Sequence, residues 1–569
     1  MNSKIKILLI TLAVIVAIAL VIIFIKPQNN QEYVAKMEAL FEAYLNGEYT
    51  SIEDEHIAII SVGNKKSQAI VKSAKGATEQ EAFDKAKDKI NSYIASKEYD
   101  VKLVKLEMVY KSETMKLSEF DSLLKQNGGG YNFRRGIIIN KDVALLEEEI
   151  NANMIIDYNN KKLNLQNLNK YLEKRGEAKL DNLPEEITFF TSIRYFYDED
   201  GKIYKLYDDD LNAGRRVIEN ITKEEVENII SKASKYLANM VKKDGQFVYG
   251  YSAITDKELS SYNILRHAGS VWSLIVCYDE NSSDKNERKV LINRAMDYLA
   301  SQISEKDENT AYVVEEKVNE IKLGGNAIPV LAMCEYAQKF GDLTYVETAK
   351  KLGNGILTMQ KDNGSYVHIL NGNDYQVKAE QQTVYYDGEA TLALAKLYGV
   401  TKEEKYLDAA KKAIQYFVDN NYEQYCDHWI AYSVNEVTKY VDNNSYYEFG
   451  LKNIKDNLAT IHDKVVTSHT NFEMLVQGYE LYNRIKEKQI ELNYLEEFDA
   501  NQLLRTLKYR ANYQLNSYMY PEIAMYLTEP SKYEGTFFIR NDAFRVRIDD
   551  IQHSLLGYYY FLGTFLNEE

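Results

Sequence analysis

Proline is nearly missing from this chain, with five residues in 569. Disordered linkers favour proline, so little of the length is left to serve as one. Cysteine is scarcer still: Cys277, Cys334 and Cys426 are too few and too scattered for a disulfide framework. Each sits in or beside an apolar helical stretch, where a buried thiol is expected rather than a bridge. Basic runs are lacking beyond the first residues, and the net charge is -16. Counterion release has no cationic stripe to act through, which excludes a nucleic-acid partner. Tryptophan occurs twice and histidine seven times, so the placement of either is informative.

What remains is 45% hydrophobic and 27% charged, the balance of a globular chain, and its length calls for two or more domains. Tyrosine is abundant, with 47 residues, and its ring and hydroxyl suit grooves where sugars stack and hydrogen-bond. Ile7 to Ile25 form 19 consecutive uncharged residues, long enough to cross a hydrocarbon core of about 30 Å. No small-x-small cleavage site or lipid-accepting cysteine follows, so an uncleaved signal anchor over residues 1–29 is expected. Lys4 and Lys6 precede the span and Lys26 follows it. That bias predicts a single-pass protein of the cell membrane, N-terminus in the cytoplasm and body outside.

Residues 30–220 mix periods. EYVAKMEALFEAYL and EQEAFDKAKDKINSYIA have helical spacing; HIAIISV, KLVKLEMVY, GIIIN and the hairpin ITFFTSIRYFYDEDGKIYKLY alternate as strands. An α+β membrane-proximal domain is predicted. Its charge clusters, Arg134-Arg135-Gly136 and Gly214-Arg215-Arg216, are as consistent with a solvated surface as with binding.

From residue 221 to 569 the texture changes to paired helices. Six members begin polar and turn apolar: YNILRHAGSVWSLIVCY, GGNAIPVLAMCEYAQKF, DGEATLALAKLYG, DHWIAYSVNEVTKY, SHTNFEMLVQGYELYNRI and DDIQHSLLGYYYFLG. The alternate members are amphipathic. Thr222-x-x-Glu225, Thr401-x-x-Glu404 and Ser445-x-x-Glu448 have the capping-box pattern, Asp499-x-x-Gln502 a similar one, and Gly399 and Gly563 stand where C-caps are expected. A helix apolar all round must be buried, so each pair supplies one outer and one inner helix. Six such pairs make an (α/α)6 toroid, whose parallel inner helices present their first turns to one cleft. The fold class is therefore mainly α: a C-terminal toroid behind an α+β domain and a transmembrane helix.

Three glycine-aromatic strips, KKDGQFVYGY, QKDNGSYVHIL and YEGTFFIR, lead toward that rim, and YYDGEATLALAKLYG opens the third inner helix. With the helix count, these make Thr222 to Leu566 resemble the six-hairpin glycosidase superfamily. The resemblance implies chemistry on glycans, inverting or hydration more often than retaining.

Four of the seven histidines, His267, His428, His469 and His553, fall in opening turns of inner helices. The same turns carry Arg266, Asn326, Asp387, Glu389, Asp427, Asp549 and Asp550, with Arg545 and Arg547 just upstream of the last pair. Capping accounts for Asp387, Asp427 and one of Asp549 and Asp550 about as well as catalysis does. It does not account for Glu389 or for the second aspartate. Across a six-membered ring the third helix faces the sixth, which sets Asp387 and Glu389 opposite Asp549 and Asp550. Glycoside hydrolysis needs such a pair, one carboxyl to protonate the leaving oxygen and one to activate water or attack the sugar. Arg266, His267, Trp272, Asn326, Tyr386, Asp427, His428, Trp429, His469, Arg547 and His553 are the candidate contacts to a polysaccharide or oligosaccharide, of the cell envelope or secreted as an exopolysaccharide. A core role is as consistent for Trp272 and Trp429. Arg266, Arg547, His267, His428 and Tyr386 equally suit a uronate lyase or C5-epimerase, which must neutralise a carboxylate and move a carbon-bound proton. A non-catalytic glycan-binding or scaffold protein of a cell-surface polysaccharide synthesis machinery is the third reading. No cofactor or metal is expected: Cys426, Asp427 and His428 with His469 or Cys277 lack the close Cys-His pairing of zinc sites.

Overall fold

The computed structural model describes residues 32–563 except 48, 50–54, 96–98, 127–133, 141–142, 209, 380–383 and 541. The span expected over Ile7 to Ile25 lies outside the described residues, and among those described no helix is long and apolar enough to cross a membrane.

The paired helices form as the periodicity requires. Six outer helices, Lys223–Asn239, Lys285–Ser301, Val346–Thr358, Glu404–Asp419, Asn444–Lys455 and Ala500–Gln514, alternate with six inner ones, Ile264–Val276, Leu323–Phe340, Val384–Thr401, His428–Val437, His469–Glu487 and Ile548–Phe561. Each inner helix packs on the next, and the sixth returns to the first, which closes the ring. This is an (α/α)6 toroid. The outer helix Glu404–Asp419 buries a stripe containing Tyr406, Ala410, Ala413 and Phe417, whereas its inner partner Val384–Thr401 is buried without a break from Tyr386 to Ala395. One apolar core runs through the ring from Ile218 to Phe561.

The helix ends correct several expectations. Thr222 with Glu225 is a capping box, and Asp499 accepts from the Gln502 N–H. Thr401, however, is the last residue of the third inner helix, and the following helix is preceded by Glu403. Asn443, two residues ahead of Ser445, does the capping expected of that serine. Gly399 is interior to its helix, where a Cβ would meet the Tyr440 hydroxyl at 2.6 Å. Close packing, rather than a left-handed cap, is its reason. The sixth inner helix ends at Phe561 with Leu562 as its C-cap, so Gly563 is not its cap either.

Two of the three glycine-aromatic strips share one geometry. Gly245 and Gly364 adopt positive φ of 90° and 95°, a region costly to any residue with a Cβ. Each turn lets the chain double back, bridging Val241 to Phe247 and Gln360 to Tyr366. The strand Gly250–Ser252 then pairs with Arg545–Arg547, joining the start of the ring to its last helix.

The preceding part is an antiparallel sheet in the order Ile70–Gly76, His56–Gly63, Leu103–Lys116, Glu186–Tyr197, Gly136–Asn140, Val143–Leu145, with Ile203–Leu206 also paired to Glu186–Tyr197. Successive residues of His56–Gly63 face opposite ways. Ala58, Ile60 and Val62 pack under the helices over 32–45 and Glu79–Ala95, whereas Ile57 and Ile59 join a cluster with Met525 and Tyr526 of the toroid. The two parts therefore share a seam. Arg215 and Arg216 are buried in it rather than solvated: Arg216 pairs with Glu522 at 2.6 Å and Asp198 at 2.8 Å, and Arg215 binds Asn512 and Asn516. Glu147 pairs with Arg540 across the same seam. All three cysteines are free; Cys277 and Cys334 are buried and Cys426 is half-buried.

Candidate active site

The first turns of the inner helices surround a cavity of about 420 Å³. Of the residues singled out in the sequence, Arg266, Tyr386, Glu389, Asp427, His428, Trp429, Asp549 and His553 line it. They come from the first, third, fourth and sixth inner helices, so the rim is shared as the topology requires. The ring axis below is plugged by Trp272 stacked on Trp429, ring centroids 6.0 Å apart and 28° between planes. Trp272 is therefore backing, and Trp429 alone presents an indole to the cavity. Tyr385 and Tyr425, both largely exposed, stand at the mouth.

Seven expected site residues do not line the cavity. Asp387 is turned toward His368 Nε2 at 3.1 Å and the Tyr422 hydroxyl at 3.4 Å. Asp550 is held by Arg545 at 3.0 and 3.1 Å. Neither it nor Asp549 caps the last helix, whose N-cap position is Arg547. His267 sits between the Tyr262 hydroxyl and the Ala295 carbonyl, and burial pushes its imidazole down to about 4. His469 is buried near Ser517 and Phe537, its imidazole pushed down to about 3 by burial and by His553. Asn326 ties its helix to neighbouring backbone, accepting from the Val313 N–H and donating to the Lys322 carbonyl. Arg547 is spent on Asp549. Trp272 is the seventh. An opening-turn position fixes the level of a side chain along the ring axis but not whether it points inward.

Among the carboxyls, three environments differ. Glu389 is fully buried, its Oε2 has no hydrogen-bond partner among the described residues, and burial together with the Asp427 charge holds its carboxyl well above the usual range. Asp427 caps the fourth inner helix, Oδ1 accepting from the Trp429 N–H at 2.9 Å, while Oδ2 has no partner among the described residues. Asp549 has both oxygens engaged, one by Arg547 and the other by Arg266 Nε at 2.9 Å.

Close helix approach sets these positions. A Cβ on Gly324 of the second inner helix would collide with Glu389 Oε2 and the Tyr386 ring, and one on Gly388 would meet the Trp429 backbone at 2.8 Å. Glycine spacing was the signal available in the sequence for this packing. Glu473 was missed because it lies on the second turn of the fifth inner helix, past the opening residues. Its side chain is wholly buried, and each of its oxygens is 3.2 Å from His553 Nδ1. Although burial works in the opposite direction, the Glu473 carboxylate raises the His553 imidazole above its ordinary value. A larger cleft, about 880 Å³, opens at the seam beside Asp198, Glu199 and Arg216. Arg216 is fully paired there, and the cleft has no counterpart to Glu389.

No protein-family model matches the chain, and no curated protein matches it. Solved structures similar to it include cellobiose 2-epimerase from Bacillus thermoamylovorans, 12% identical with a TM-score of 0.45 over 60% of this chain and 98% of that one. They also include the α-1,6-mannanase from a Salegentibacter species, 10% identical with a TM-score of 0.41 over 59% and 98%. A family 76 glycoside hydrolase from a bovine Bacteroides thetaiotaomicron strain is 11% identical with a TM-score of 0.41 over 81% and 96%.

Proposed function

We propose that this chain is a carbohydrate-active enzyme that hydrolyses a glycosidic bond, with Glu389 as general acid and Asp427 as the carboxylate that activates water. The observation that carries the reading is the contrast between two neighbouring carboxyls lining one cavity. Burial and the Asp427 charge push the Glu389 carboxyl well above its ordinary value, and Asp427 Oδ2 has no hydrogen-bond partner among the described residues. A carboxyl that donates a proton and a second that accepts one from water are the requirement of this chemistry. Glu389 gives its proton to the leaving oxygen as that bond breaks. Asp427 takes a proton from the water that attacks the anomeric carbon. Asp549, with an arginine on each oxygen, is assigned to holding Arg266 at the rim rather than to acting as base. Trp429, Tyr385 and Tyr425 offer ring faces to pyranose units.

Release of reducing ends from a panel of neutral and acidic envelope glycans tests this. Hydrolysis lost in both Glu389→Gln and Asp427→Asn supports it, whereas a full rate in either removes that residue.

Proton transfer at a sugar carbon, in a lyase or epimerase, is the second reading. It is favoured by the approach of His428 and His553 to one buried carboxylate, with Arg266 beside the same cavity. Ultraviolet-absorbing unsaturated product marks a lyase, and solvent deuterium entering unchanged-length sugar marks an epimerase. The membrane anchor over residues 1–29, with the body outside the cell and a polysaccharide synthesis machinery nearby, belongs to the same proposal. Protease shaving of intact cells tests the topology.

A further inference from the structure

The wall of the cavity formed by the fourth, fifth and sixth inner helices contains a grouping that acid chemistry at Glu389 does not use. His428 Nε2 stands 3.6 Å from Glu473 Oε2, and His553 Nδ1 stands 3.2 Å from the same oxygen. The three ligating atoms all lie within 4.8 Å of one another. A tetrahedral zinc ion takes nitrogen and oxygen ligands at about 2.0–2.2 Å, which places neighbouring ligand atoms about 3.3–3.5 Å apart. Two edges of the grouping, at 3.2 and 3.6 Å, lie within about 0.1 Å of that spacing, and the third is no longer than 4.8 Å.

Two further features fit an ion better than a hydrogen-bonded triad. His428 Nε2 is buried and has no hydrogen-bond partner among the described residues, a loss of about 1–3 kcal/mol in an ordinary core. The Nδ1 of the same ring lies 3.4 Å from Asp427 Oδ1, the kind of outer carboxylate that fixes the tautomer of a metal-bound histidine. Glu473 supplies a carboxyl oxygen from a fully buried side chain, next to both imidazoles.

We propose that His428, Glu473 and His553 form a three-ligand site for a divalent first-row transition ion, zinc by default, with its fourth position open to the glycan-binding cavity. Two imidazoles and a carboxylate suit such an ion, where oxygen-only sets suit calcium or magnesium. Both histidines line the cavity and Glu473 lies behind them, so the open position faces substrate. An ion there takes hydroxyl or carboxylate oxygens of a sugar as ligands. The site stands independently of the hydrolytic assignment, because its test reads metal rather than turnover.

The experiment uses the full chain in detergent, stripped with chelator, dialysed and titrated with zinc chloride. Bound metal is read by plasma mass spectrometry and affinity by competition with a chromophoric chelator. Cobalt chloride gives a second readout, since tetrahedral histidine-ligated cobalt has intense visible bands. One zinc per chain is expected. His428→Ala, His553→Ala and Glu473→Gln should each weaken it at least 100-fold and abolish the cobalt bands, with metal-free melting near that of the wild type. A wild-type chain that retains no zinc above dialysis background and shows no such cobalt bands overturns the site, whether or not the variants fold. Equal zinc binding by folded variants overturns it too.

Discussion

Replacement of Glu389 by glutamine separates a catalytic proton from a structural carboxyl. Burial and the charge of Asp427 hold this carboxyl protonated well above pH 4.5. An unfolded chain releases that proton near the ordinary glutamate value, so between the unfolded and folded pKa the native state holds one proton more than the unfolded state. Stability is greatest below the unfolded value and falls as pH rises across that window, at about 1.4 kcal/mol per pH unit. Glutamine fills nearly the same volume and carries no titrating proton. Urea melts of Glu389→Gln at several pH values should therefore show a shallower decline than wild type, with equal or greater stability at pH 8. Turnover should fall about 10²–10⁴-fold, the range of general acid catalysis. A variant that is active at the wild-type rate, or that melts earlier than wild type at pH 8, refutes the reasoning.

Gly324→Ala should displace the Glu389 carboxyl, because the added methyl enters the space of Oε2 and Tyr386; the check is turnover reduced at least 10-fold with sugar binding retained by calorimetry. Asp387→Asn should keep at least a tenth of wild-type turnover, since that side chain faces His368 and Tyr422 rather than the cavity. Arg216→Met should cost about 3–5 kcal/mol in urea melts by leaving Glu522 buried and unpaired, and the double change with Glu522→Leu should recover most of it.

The toroid was legible because its signal is long and repeated. Each inner helix, such as DGEATLALAKLYG, is apolar round its whole circumference, and no single surface residue can blur that pattern. The strands HIAIISV and GIIIN were legible for the same reason. Ile70–Gly76, whose sequence IVKSAKG carries two lysines, and the helix Glu147–Ala152, whose sequence begins with three glutamates, gave no apolar period. Their charges are buried against partners far along the chain, Glu148 on Lys105 and Glu147 on Arg540. Pairing of that kind leaves no local trace. In the site, sequence placed the correct turns at the rim but not the direction of each side chain. His267 and Asp387 share their turns with Arg266 and Glu389, yet point into the core. Glu473 was invisible because its second-turn position is shared by many core residues.

The join between the first inner helix and the last has a consequence for biosynthesis. Arg266 meets Asp549, and Gly250–Ser252 meets Arg545–Arg547, across roughly 280 residues of sequence. At about 5–20 residues per second, a ribosome leaves the earlier half of this contact waiting on the order of tens of seconds. During that interval the apolar flank of Ile264–Val276 has no neighbour on one side. Until the final hairpin is made the ring cannot close, and loss of that hairpin alone leaves an open arc of five inner helices.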